Sequence, residues 1–141
     1  MAEYTATALQ IVAAGQNVLF TESVIPCKKG YVSHRDGSGV FHLRGVTNQC
    51  YARYKVSFGA NISVPTGGTV EAISIALAIE GEPQASALAI VTPAAVDEFG
   101  NVYVSVFIDI PRGCCTAVTV ENTSTQPINV QNANLIIERV A

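Results

Sequence analysis

Charge is what this chain has least of. Asp, Glu, Lys and Arg make up 13% of its 141 residues, against roughly 25% in an average globular domain. So few charges imply either a very compact domain or a surface partly covered by other subunits, and the second reading is preferred. The eight Lys and Arg residues are scattered, and Lys28–Lys29 in "CKKG" is their only pair. A nucleic-acid face needs clustered basic residues, so nucleic acid is not an expected partner. The opening "MAEYTATALQ" has neither a basic nor an apolar region of the secretory kind. No apolar run approaches the roughly 18 residues of a membrane helix, so no membrane partner is expected. Chemistry is equally sparse. There is no Cys-x-x-Cys, no Gly-x-Ser-x-Gly elbow and no oxygen-rich calcium loop. No enzyme activity, cofactor or metal is therefore expected.

What is present is alternation. In "ARYKVSFGANISV" the residues Ala52, Tyr54, Val56, Phe58, Ala60, Ile62 and Val64 are apolar, and Arg53, Lys55, Ser57, Gly59, Asn61 and Ser63 stand between them. Successive strand side chains point to opposite faces, so this predicts one long strand with a buried and a wetter face. "VYVSVFIDI" repeats the pattern, with Val102, Val104, Val106, Ile108 and Ile110 on one face and Tyr103, Ser105, Phe107 and Asp109 on the other. "AISIALAIEG" sets Ile73, Ile75, Leu77 and Ile79 against Ala72, Ser74, Ala76 and Ala78. That second face, small and uncharged, is expected to be covered by a second layer or a neighbouring subunit.

Shorter strands are predicted over 17–25, 30–34, 40–45, 116–122, 128–130 and 133–140. "HRDGSGV" is a hairpin turn, and "PTGGT", "EGEP", "EFGN", "PRG" and "STQP" are further turn signals. "VTPAAVDEFG" holds one helical turn at most. Eight to ten short strands with regular punctuation define an all-β, antiparallel sandwich or barrel. Residues 1–10 are expected as an N-terminal arm, and 11–141 as a single domain.

The two adjacent cysteines of "PRGCCTAV" invite a metal or redox reading. By alternation, Cys114 shares parity with Thr116, Val118 and Val120 and is expected to face the core. Cys115 is expected on the opposite face, which excludes joint ligation of one metal by a regular strand. Cys50 has core parity and Cys27 follows a proline at a strand end. Cys27, Cys50 and Cys114 are thus read as buried thiols or disulfide partners, 27–50 or 50–114, and Cys115 as a thiol facing a subunit interface. His34 and His42 flank the hairpin at a spacing that brings them across from each other. Glu80, Glu82, Asp97, Glu98, Asp109 and Glu121 lie in or beside turns and read as solvated side chains. Asn61 and Asn122 head Asn-x-Ser/Thr patterns, which matter only in a glycosylating host.

The order of motifs resembles a family. "GVFHLRG" precedes "CYARYKVSFGANISV", then "ISIALAIEGEP", then "VSVFIDIPRGCCTAVTVENTS", and "ANLIIERVA" comes last. This is similar to the tumour necrosis factor and complement-head jelly roll, in its bacterial and phage form: a spore-surface glycoprotein head or a phage head decoration protein. The resemblance covers about residues 15–141. It implies a jelly roll, and a homotrimer whose threefold axis is lined by the strand before "PRG", with Tyr103, Ser105 and Phe107 at the interface. The chain carries no collagen-like Gly-x-y stalk. The role this implies is a non-enzymatic virion component, a capsid decoration or head fibre, with another capsid protein and a host surface glycan as partners. A bacterial surface adhesin or carbohydrate-binding head is the alternative. A small enzyme using Cys115 or His42 is the third reading.

Overall fold

A computed structural model describes residues 2–27 and 30–141, so the Lys28–Lys29 pair lies outside the described residues. Among the described residues the chain forms eleven strands and no helix. In chain order they are β1 (Ala2–Ala6), β2 (Gln10–Val12), β3 (Glu22–Ile25), β4 (Val32–His34), β5 (Phe41–Arg44) and β6 (Tyr51–Ser63). There follow β7 (Ile73–Ile79), β8 (Glu82–Val91), β9 (Gly100–Pro111), β10 (Cys115–Asn122) and β11 (Ile128–Arg139). The first sheet runs β3–β1–β11–β6–β9, with β2 also on β11, and the second runs β4–β5–β10–β7–β8. Every pairing is antiparallel. The all-β sandwich is therefore observed as predicted.

Alternation decides the core. All seven apolar even positions from Ala52 to Val64 are buried, as are Ile73, Ile75 and Leu77, and Val102, Val104, Ile108 and Ile110. Phe20, Phe41 and Phe58 meet edge to face at one end of it, with centroids 5.3 and 6.2 Å apart. Each fully buried side chain of this size contributes about 1.5–3 kcal/mol.

Four elements differ from the sequence reading. Residues 2–6 are not an arm. They form β1, in register with β11 from Ala2–Ile137 to Ala6–Ala133, and Ala2, Tyr4 and Ala6 are buried. Five residues with two alanines carry a weak periodic signal, while the twelve-residue β11 offers a ready ladder. The predicted strand 17–25 is pared to β3 and an isolated bridge from Asn17 to Glu121. The two strands predicted over 128–140 are one strand with a bulge, where Asn132 adopts φ 55°. β8 was not foreseen at all. Glu80 and Gly81 both have positive φ, 53° and 82°, the geometry of a two-residue hairpin that returns the chain directly along β7. Pro83 and an Ala-rich stretch disguised it, and both are tolerated because β8 is a sheet edge.

The small-residue face is covered in part, and by its own chain: Ala72 is exposed and Ser74 half-buried. Ala76 and Ala78 are fully buried in the single chain. They pair with Glu121 and Thr119 on β10, and with Leu88 and Pro83 on β8. A methyl group sits below the level of such neighbours, so no second subunit is needed to hide it.

Candidate functional site

The opposite face of the molecule is different. β9 is the edge strand of the first sheet, and it sends alternate side chains outward. Tyr103 is 63% and Phe107 61% exposed, on one strand four residues apart. The long β6 ladder sets their surroundings: Tyr103 lies opposite Gly59, Ser105 opposite Ser57, Phe107 opposite Lys55 and Asp109 opposite Arg53. The Tyr103 ring lies over Gly59, where a Cβ would meet its Cδ2 at 3.6 Å, an ordinary contact. The Ser57 and Ser105 hydroxyls share a hydrogen bond of 3.2 Å. They flank the Tyr103 hydroxyl and hold its pKa below the ordinary phenol value, Ser57 most of all. One row further across, Ile136 faces Ser57 and Glu138 faces Lys55.

Two of the charges on this face cancel each other. Arg53 donates from Nε to Asp109 Oδ1 at 2.7 Å and from Nη2 to Oδ2 at 2.9 Å. That two-pronged bond holds the Asp109 carboxyl below the usual carboxylate range. Glu3, on the neighbouring β1, accepts a hydrogen bond from Asn134. The result is a sheet face with two open aromatic rings, a serine row, one ion pair and the further charges of Lys55 and Glu138. It has the chemistry of a contact surface, with aromatic residues at its middle.

The cysteines correct the sequence reading. No disulfide joins them; Cys50 and Cys114 are exposed, Cys115 is exposed, and Cys27 is half-buried against the core. Parity failed for Cys50 and Cys114 because both sit just outside their strands. Cys114 lies in the turn after Pro111, whose carbonyl accepts from its amide at 3.0 Å, and β10 begins only at Cys115. Cys50 lies in the bend before β6, where its carbonyl accepts from Arg112 N. All three exposed thiols therefore gather at one end of the sandwich.

His34 and His42 are not opposed. His34 pairs with Phe41 and His42 with Ser33. The His34 ring stacks on Phe41 with centroids 4.1 Å apart, and its two nitrogens lie 3.2 Å from the carbonyls of Val40 and Phe20. It is a structural staple, while His42 points into solvent. Among the described residues no group of three His, Cys, Asp or Glu side chains is placed to hold a metal. Asn122 is fully buried, its amide donating to Val12 O and Gln126 O, so the pattern it heads is closed in the folded chain.

The same end carries a shallow groove that the sequence did not disclose. One part, about 480 Å³, is lined by Tyr31, Val46, Thr47, Asn48, Gln49 and Arg139. A second, about 270 Å³, shares Gln49 and adds Cys50, Tyr51, Arg53, Asp109 and Ala141. Its residues are far apart in the chain, so no local motif announces it.

No family model matches the chain, and no curated protein does. Among solved structures it is similar to the globular domain of zebrafish complement 1qA protein. The TM-score is 0.56 at 12% identity, over 96% of this chain and 94% of that one. At that identity the likeness is one of fold, and the fold is the jelly roll that the motif order implied.

Proposed function

We propose that this chain is a non-enzymatic structural and surface-binding head that assembles as a homotrimer through the outer face of its first sheet. The observation that carries the reading is the pair of open rings, Tyr103 and Phe107, on an outer sheet face where Arg53 and Asp109 are paired. Covering one such ring contributes on the order of 3 kcal/mol, from about 120 Å² at about 25 cal/mol per Å². Two rings per chain, repeated around an axis, reach the scale of the entropy that association costs. The number three comes from the resemblance in motif order, and the edge position of β9 agrees with its place beside an axis.

On this reading the head is a component of a phage virion, as a capsid decoration or head fibre in contact with another capsid protein. A bacterial surface adhesin is the second reading, favoured by the groove at the end of the sandwich, which offers a place for a glycan. Light scattering tests the assembly. A mass near three times the 14.8 kDa chain, falling to one chain in Phe107→Glu with the fold intact, supports it. A single-chain mass for the unaltered protein overturns it. Mass spectrometry of purified virions then separates the two settings.

A further inference from the structure

We infer that the groove at the Val46–Tyr51 end is a binding site for an acidic saccharide, a sugar bearing a carboxylate. This deepens the binding part of the function proposed above. The groove is lined by residues of one chain, and its Arg53–Asp109 border adjoins the face proposed for the trimer.

Three features support it. The first is charge. Four of the five arginines of this net-negative chain, Arg44, Arg53, Arg112 and Arg139, belong to this end. Arg44 pairs with Cys115, Arg112 N donates to Cys50 O, and Arg53 and Arg139 line the groove. Asp109 is the one carboxylate side chain lining it among the described residues, and Arg53 already engages both its oxygens. Arg139 is the second guanidinium lining it, and its Nε donates to Ala141 O.

The second is preorganisation. Arg139 lies 4.7 Å over the Tyr31 ring, and Nη1 donates to Val46 O and Nε to Ala141 O. A guanidinium fixed by a ring and two carbonyls loses little freedom on binding, and its planar fork suits a carboxylate. The third is the pairing of a ring with planar polar groups. Tyr51 is 55% exposed, and Asn48 and Gln49 bring amides that both donate and accept. A sugar presents an apolar C–H face for a ring and hydroxyls for such amides, whereas a purely apolar ligand would leave these groups unpaired. Hydrolysis does not follow. Cleaving a glycosidic bond takes two carboxyl groups, one of them protonated. The groove has one, and Arg53 keeps it ionised.

The test is titration calorimetry and saturation-transfer NMR with sialyllactose and a hyaluronan tetrasaccharide, against lactose and chitotriose. The acidic sugars should bind at least about tenfold more tightly than the neutral ones. Arg139→Gln should abolish that preference, and Tyr51→Ala should weaken both classes. Tyr103→Glu, remote from the groove and aimed at the trimer face, should bind sialyllactose as the unaltered chain does, so loss of the trimer and loss of the site are read separately. No binding by any of the four probes overturns the proposal, as does equal affinity for acidic and neutral sugars. Should Arg139→Gln fail to fold, the exposed Tyr51→Ala variant decides: unchanged affinity for sialyllactose removes the site.

Discussion

The outer faces of the two sheets make an instructive pair. Both looked unusual in the sequence, one for its small residues at 72–78 and one for its rings at 103 and 107. In the fold they have opposite fates. Ala76 and Ala78 are fully buried without any partner, while Tyr103 and Phe107 are each more than 60% exposed. A small side chain in a central strand is hidden by its neighbours' height. A ring on an edge strand has no neighbour on one side and stands above the sheet. An uncharged face is therefore not by itself a sign of an interface.

The sharpest way to break this comparison is Phe107→Glu, expected to convert the proposed trimer wholly to single chains by light scattering while leaving the circular dichroism unchanged. Ala78→Leu is expected to leave the mass alone but to cost about 1–3 kcal/mol in urea denaturation, because the site is already filled. Ser105→Leu, placed on the open face and measured in the Phe107→Glu single chain, should change stability by less than about 0.5 kcal/mol. If both leucines cost the same, the two faces are not different in kind.

Titration sharpens it further. Burial, with Cys27 and Asp36 nearby, pushes Tyr4 up to about 12. The unfolded chain ionises there first, so this contribution to stability is complete below about pH 10 and is lost as the pH rises towards 12. Tyr103 on the open face should ionise below the ordinary phenol value, and phenol absorbance of Tyr4→Phe and Tyr103→Phe variants assigns the two steps. Asp109 moves the other way from Tyr4. Its contribution is present above the ordinary carboxylate pKa and disappears as the pH falls through its lowered value, which a carboxyl NMR titration follows. The smallest effect is chemical: a maleimide under native conditions should label Cys50, Cys114 and Cys115 rapidly and Cys27 slowly.

Much of the fold was legible because a strand writes its environment into every second residue. β6, β7 and β9 could be read to the face, with Tyr103, Ser105 and Phe107 on the side opposite the valine row. Where strands ended, the same rule misled. Cys50 and Cys114 lie one residue beyond β6 and β10, where the pleat no longer fixes direction. β1 escaped because five residues carry little amplitude, and β8 because Pro83 and its run of alanines blur the alternation.

The sequence by itself determined the fold class, the core faces of β6, β7 and most of β9, and the aromatic stripe opposite the valine row, since these follow from local alternation. Only the tertiary structure decided that the alanine face closes on itself, that the thiols are exposed, and that Tyr31, Gln49, Tyr51, Arg53, Asp109 and Arg139 border one groove. Those outcomes depend on strand order and register, which bring together residues up to 108 positions apart. No periodicity within a single strand encodes which strand lies beside it.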